Sequence, residues 1–333
     1  MSKPPAPIRL ASLARRAGAA ALLAGGLALA GCTADDAFDL RGEQPVPGHL
    51  LRAMKARHMS AEAPILLRIF KEESELEVWK RTEGGRYARL KTYEICKWSG
   101  ELGPKHKEGD RQAPEGFYFV NRGLMNPNSS YYLSFNLGFP NRFDRSYGRT
   151  GTHLMVHGAC SSAGCYAMED DQIAEIYALA REALAGGQQS FQVQALPFRM
   201  TPENMARHRD SEHFAFWENL KVGYDHFELT RQPPKVDVCE RAYRFNREIV
   251  GGGRFLPSAR CPETTTPAPL ARIYAEYQAD YRLRFDKAVR KLGGEPPAPS
   301  VNDAADGAIA DVDVPSGTRV RPLPGSAALR TSR

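Results

Sequence analysis

The sequence predicts a mostly β domain, a sandwich or barrel-like sheet structure with one helix, followed by an α-rich appendage. Three observations carry this. Short apolar runs of strand length recur between Gly- and Pro-bearing segments, several of them alternating with period two. A single strongly striped helix follows them. Two further stretches with helical patterning lie beyond residue 200.

The elements follow in order. Ile65 to Phe70 is a strand-like run bounded by Pro64 and a charged cluster. Glu77 to Lys80 and Tyr87 to Tyr93 alternate as half-buried strands do, with Gly84-Gly85 as the turn between them. Gly103 to Gly116 is a loop with Pro104, Gly109-Asp110 and Pro114. Phe117 to Asn121, Ser130 to Asn136 and Thr152 to His157 are further strands. Asp170 or Glu169 caps a helix with the stripe Ile173, Ile176, Tyr177, Ala180 and Leu184, stopped by Gly186-Gly187. Phe191 to Leu196 closes the domain. Met205 to Leu220 and Leu270 to Leu292 are expected helices, and Pro233-Pro234 interrupts between them.

The chain divides accordingly. Residues 1–31 read as a signal peptide, 32–62 as a polar tether, 63–200 as the main domain, 201–292 as a helical appendage, and 293–333 as a disordered tail rich in Pro, Gly, Ala, Ser and Asp. The signal has a basic n-region (Lys3, Arg9, Arg15, Arg16) and a short apolar h-region from Ala19 to Ala30. It ends in Leu29-Ala30-Gly31-Cys32, which resembles a bacterial lipobox. That resemblance implies cleavage before Cys32 and lipidation of Cys32, with Thr33 next to it directing the protein to the outer membrane.

The 333 residues are 42% hydrophobic and 25% charged, ordinary for a globular protein. The net charge of +6 suits a polyanionic partner. No phosphate-cradling glycine loop, RNP-like strand or paired Cys-x-x-Cys accompanies it, so no nucleic-acid partner is expected. Without Cys32, five cysteines remain, an odd number that points to one free reactive thiol in an exported chain. Cys165 is the candidate. Cys239 and Cys261 are close enough in sequence to close a loop, and Cys96 and Cys160 form a second potential pair whose connectivity sequence leaves open.

The chemistry concentrates in His157-Gly158-Ala159-Cys160-Ser161-Ser162-Ala163-Gly164-Cys165-Tyr166. A thiolate is the reactive form of cysteine, and a nearby imidazole lowers the thiol pKa and takes its proton. Glycine lets the loop turn sharply, and loop N–H groups can face a developing oxyanion. His153 is placed four residues before His157 on the same strand face. Zinc ligation by His153, His157, Cys160 and Cys165 matches no structural zinc spacing. No metal and no cofactor is expected.

This segment resembles the active site of the L,D-transpeptidase (YkuD) family, and most of all its YafK-like branch. The family pattern is His-Gly, a gap, then Ser/Thr-His-Gly-Cys; here it reads His157-Gly158 and Ser162-Ala163-Gly164-Cys165, with alanine at the second histidine and a short gap. The loop through Gly109-Asp110 to Pro114-Glu115-Gly116 and the segment Phe139 to Gly151 also match. The resemblance implies an L,D-transpeptidase-like β fold with Cys165 as nucleophile and His157 as base. The Gly158 carbonyl then orients His157, and Ser162 and Gly164 shape the oxyanion loop. Arg142, Arg149, Lys105 and Tyr131 become candidate contacts for peptidoglycan stem peptides. The implied function is cysteine-dependent acyl transfer at the periplasmic face of the envelope, lipid-anchored in the membrane. Hydrolytic release of a peptidoglycan-linked protein is the alternative within the family. A non-catalytic cell-wall-binding lipoprotein is the alternative outside it.

Overall fold

The computed structural model describes residues 40–296, so Cys32, the signal segment and the tail from 297 lie outside it. The described chain forms two compact units that divide between Phe198 and Arg199.

The first unit runs through α1 (Gly48–Lys55), β1 (Ile65–Phe70), β2 (Glu75–Arg81), β3 (Tyr87–Glu94), β4 (Lys97–Trp98), β5 (Gly116–Asn121), β6 (Met125–Asn126), β7 (Ser134–Asn136), α2 (Arg142–Ser146), β8 (Met155–His157), β9 (Tyr166–Ala167), α3 (Asp170–Ala185) and β10 (Ser190–Leu196). These strands build two five-stranded sheets, ordered β3-β2-β1-β10-β5 and β4-β9-β8-β7-β6. Each sheet has one parallel pair, β1 with β10 and β8 with β9.

β1 is central in its sheet, and all six of its residues are buried, which is why its sequence is a continuous apolar run. The polar exception, Arg68, donates from Nε to Gln194 Oε1 at 3.0 Å. Helix α3 packs on β1, β10 and β7, and so fills the space between the two sheets. Its whole expected stripe, Ile173, Ile176, Tyr177, Ala180 and Leu184, is buried. Glu169 is the N-cap, with Gln172 reaching back to its N–H, and Gly186 ends the helix.

Three expectations need correction. Residues 40–62 are not a free tether: Val46, Leu50, Met54 and Met59 are buried in the main core. Leu50 and Met54 sit four apart on one helical face, a short stripe that flanking polar residues mask in sequence. Thr152 to His157 is a strand only from Met155, because His153 takes a left-handed conformation (φ 55°). His153 is therefore off the strand. Finally, the described residues are not mostly β: helix accounts for 32% of them and sheet for 23%, with three of the helices in the second unit.

That second unit holds α4 (Pro202–Arg207), α5 (Phe214–Thr230), β11 (Val236–Cys239), β12 (Ala242–Phe245), β13 (Glu248–Ile249), β14 (Thr264–Thr265) and α6 (Ala268–Lys291). Trp217, Leu220, Phe227, Phe285 and Val289 are among its buried apolar residues. The two small β pairs are absent from the sequence reading. The β11–β12 turn puts Glu240 and Arg241 both at positive φ (51° and 54°), where hairpins usually carry Asn-Gly. The turn is held by N–H bonds from Glu240 to Ala259 O and from Arg241 to Pro257 O, both 2.8 Å, beside the expected Cys239–Cys261 disulfide. Among the described residues no helix is long and apolar enough to cross a membrane.

The packing of α1 is testable. Met54 is 1% exposed, so Met54→Ala is expected to cost about 2–5 kcal/mol in denaturant unfolding. Leu51 is 45% exposed on the same helix, and Leu51→Ala should stay within about 0.5 kcal/mol. Equal, small effects at both positions would return this segment to a tether.

Candidate active site

The site is built around the connection from β8 to β9. The two strands pair parallel, Val156 with Tyr166 and His157 with Ala167. Carrying that register back one step sets Cys165 opposite Met155. Met155 and His157 are two apart and share a face. Cys165 and His157 therefore project from the same side of the sheet, as diagonal neighbours on adjacent strands.

Residues 158–165 make the whole connection. Parallel strands normally need a crossover of about a dozen residues or more. The short path requires unusual backbone. Ala159 and Cys160 both have positive φ (62° and 43°), as does Gly164 (134°). The two non-glycine distortions are anchored. Ala159 N–H donates to Asp170 Oδ1 at 2.7 Å, at the first residue of α3. Cys160 is disulfide-bonded to Cys96, and its N–H donates to Met168 O at 3.2 Å. Gly158 donates to Tyr131 O at 3.0 Å, and a Cβ there would lie 2.5 Å from Asp170 Oδ1 and 2.9 Å from Tyr131 O. Only glycine fits at 158.

Cys165 is the free cysteine among the described residues. Its Sγ receives the Met155 N–H at 3.4 Å, and its thiol faces His153 O at 3.4 Å. Burial pushes the thiol pKa up, while the Met155 N–H and the Lys105 charge pull the other way and lose. His157 is 3% exposed, and burial lowers its pKa against the opposing bond to Gly158. Its Nδ1 lies 2.6 Å from Gly158 O. A carbonyl only accepts, so Nδ1 carries the proton, and Nε2 of the neutral ring is left as an acceptor. The Tyr131 ring packs on the imidazole, 4.8 Å between centroids, and is itself half exposed. At neutral pH the resting pair is thus thiol and neutral imidazole, not the depressed-pKa thiol expected from sequence.

Ser162 is bonded within the loop it was expected to shape. Its hydroxyl donates to Cys165 O at 2.7 Å and accepts the Cys165 N–H at 3.0 Å. Ser99 Oγ lies 2.8 Å away, and since the Ser162 proton is engaged, Ser99 is the donor of that pair. The Gly164 N–H reaches Ser162 Oγ only at 3.4 Å. Ser162 therefore braces the loop and occupies the Cys165 N–H, which leaves Gly164 as the less committed donor.

The four candidate substrate contacts separate. Tyr131 stands at the site, against His157. Arg142 is exposed on the first turn of α2. Arg149 is turned inward: Nη1 donates to buried Asp144 at 2.9 Å, and the guanidinium stacks on Phe143 and Tyr147. Lys105 is 4% exposed and bound to Asp110 and to Lys107 O. Burial alone would raise the Asp110 pKa, but Lys105 and the N–H groups of Lys107, His106 and Gln112 outweigh it and hold it near 2. Lys105 remains close enough to favour a Cys165 thiolate.

Sequence reasoning missed Ser99, the Asp170 brace and the Tyr166 hydroxyl, which donates to Pro114 O at 2.6 Å. The tyrosine beside the nucleophile was the available signal for the last. As for metals, Cys96, Cys160 and Glu169 bring three ligand-type atoms together, but both sulfurs are in the disulfide and are not thiolates.

The profile of the YkuD family, described as the L,D-transpeptidase catalytic domain, matches residues 71–188. Two curated Escherichia coli proteins, both named "Putative L,D-transpeptidase YafK" and from strains K12 and O157:H7, are each 50% identical over 187 residues, covering 56% of this chain and 76% of theirs. Among solved structures, the helical cell shape determining protein Pgp2 of Campylobacter jejuni aligns at 17% identity over 56% of this chain and 79% of its own, with a TM-score of 0.33. Bd1075 of Bdellovibrio bacteriovorus aligns at 14% identity over 53% and 77%, with a TM-score of 0.30. With half of its aligned residues shared with relatives it covers to three quarters of their length, and with His157 and Cys165 set on one sheet face, the chain belongs to the YkuD family of L,D-transpeptidase catalytic domains.

Proposed function

We propose that the protein is a cysteine acyltransferase acting on peptidoglycan stem peptides. The observation that carries this is the free thiol among the described residues, Cys165, on the same sheet face as an imidazole whose Nε2 is left as an acceptor. Cys165 Sγ attacks a stem-peptide carbonyl carbon, and His157 Nε2 takes the thiol proton as the S–C bond forms. The imidazolium then protonates the departing amine, leaving a thioacyl enzyme. An incoming amine next loses its proton to His157 and displaces Cys165, which forms the cross-link and restores the thiol. The Met155 N–H and Lys105 stabilise negative charge on sulfur, and the Gly164 N–H is the nearest candidate for the oxyanion. Tyr131 walls the entrance beside His157. The lipobox-like segment ending at Cys32 supports a lipid-anchored enzyme on the periplasmic face of the outer membrane.

Incubation with tetrapeptide-stem muropeptides, with and without an amine acceptor, tests the reaction. Cross-linked product should form only with acceptor, and intact mass should show a thioacyl adduct that Cys165→Ala abolishes. His157→Ala should lower turnover by about 10²–10⁴-fold, the usual range for losing a general base. Peptide release in both tubes would mean a hydrolase, and full activity of Cys165→Ala would remove the mechanism.

The resting charge state sets a pH dependence. A thiol whose pKa is raised is protonated at neutral pH, so alkylation of Cys165 in the free enzyme should climb only above the range of an ordinary cysteine. A rapid, pH-independent reaction below pH 7 would show a preformed thiolate instead.

For the anchor, intact-mass analysis of the membrane fraction should show a mature chain beginning at a lipid-modified Cys32. An unlipidated chain retaining residues 1–31 would contradict it.

A further inference from the structure

The second unit contains a buried polar group that nothing in the acyl-transfer chemistry uses. His226 on α5 is 3% exposed, yet its Nε2 has no hydrogen-bond partner among the described residues. Native proteins pair most buried polar atoms, so such a group needs a reason.

Its protonation state follows from its neighbours. The Lys235 N–H donates to Asn246 Oδ1 at 2.8 Å, which fixes the amide orientation. Asn246 Nδ2 is therefore the donor to His226 Nδ1 at 3.2 Å. Nδ1 accepts, so the proton of the neutral ring sits on Nε2. Burial, with the Arg247 charge added, lowers the His226 pKa to about 4, so the ring is neutral at pH 7. Nε2–H is a buried donor with no acceptor.

His226 lines a small cavity together with Asn219, Arg244, Arg247, Thr266 and Tyr274. No Asp or Glu is among the lining residues. The Asn219 amide is already engaged, donating to Tyr243 O at 3.0 Å and accepting the Tyr243 N–H at 2.8 Å. Arg244 is already paired with Glu240 Oε2 at 3.0 Å, so Arg247 and His226 line a space whose own walls supply no carboxylate. The floor, His226 and Tyr243, is buried, whereas Arg244, Arg247, Thr266 and Ala271 are half exposed, so the cavity is reachable from solvent. Its volume is about 30 Å³, room for a few waters and not for a sugar or a nucleotide.

We propose that this cavity is a second binding site, in the C-terminal unit, for the carboxylate head of a ligand such as a peptide C-terminus. The planar carboxylate fits a guanidinium edge bidentately, and one of its oxygens supplies the acceptor that His226 Nε2–H lacks. The rest of the ligand stays outside, over the half-exposed rim. Arg247 already holds Thr266 Oγ1 at 2.8 Å, which fixes its position beside the opening. This site is independent of whether Cys165 is a nucleophile.

The test uses the full chain, with Cys165→Ala so that the thiol contributes nothing. The His226 imidazole signal is assigned in a 15N-histidine spectrum by its loss in His226→Phe, which keeps the ring against Tyr274. Titration with acetate and with N-acetyl-D-alanine should shift the Nε2–H signal saturably, the second more tightly if peptide outside the head adds contacts. Inorganic phosphate is the third arm. Arg247→Gln, whose melting temperature is checked for a native fold, should weaken carboxylate binding about tenfold or more. No saturable shift with either carboxylate would overturn the proposal, as would equal affinity in Arg247→Gln, or tighter binding of phosphate than of both carboxylates.

Discussion

Everything at the candidate active site depends on joining two parallel strands with eight residues, 158–165. That path is too short for a relaxed crossover, and the chain meets it with two consecutive non-glycine residues in the left-handed region. Such backbone costs of order 1–3 kcal/mol per residue and persists only where its surroundings enforce it. The enforcement is visible on each side: Asp170 holds Ala159, Cys96 holds Cys160, and Ser162 ties the loop to Cys165 itself. The strain is located at the candidate site, and its effect is to set thiol and imidazole on one face.

A second constraint fixes the loop before β5 against the same region. Lys71 is fully buried at the end of β1, and its ammonium donates to Glu101 O at 2.6 Å, Gly103 O and Ala113 O at 3.2 Å, and Glu115 Oε1 at 2.9 Å. Burial lowers the Lys71 pKa, and Glu115 opposes that shift. A buried ion pair of this kind adds little net stability over an apolar substitute, but removal of one partner costs about 3–5 kcal/mol. Here the pair supplies geometry. It gathers the 101–115 loop to a single point, and the Tyr166 hydroxyl on Pro114 O ties that loop to the strand that follows Cys165. The Pro- and Gly-rich segment is thus part of the site's frame.

The candidate nucleophile and base were legible in sequence because Cys165 and His157 lie within nine residues and their chemistry is carried by residue type, whereas the Gly158 carbonyl was implied only by the family resemblance. The α3 stripe was legible because its period extends over three turns. What stayed hidden depends on distant partners. Arg149 looks like a substrate clamp until Asp144 appears across a helical turn and closes it inward. That Ser162 shapes the loop by bonding both the N–H and the carbonyl of Cys165 shows only in the fold. α1 reads as a tether because two buried residues in eight make no convincing stripe. The resting charge state could not be read at all, since burial, which sets it for both Cys165 and His157, is a property of the fold.

The central claim is that the crossover delivers a neutral thiol–imidazole pair with the ring proton on Nδ1. The direct measurement is a 15N NMR titration of the His157 imidazole in the free enzyme. The account predicts a neutral, Nδ1-protonated ring at pH 7 that charges only below the ordinary histidine range. A ring that is already imidazolium at pH 7, and whose signal reports ionisation of Cys165, would contradict it.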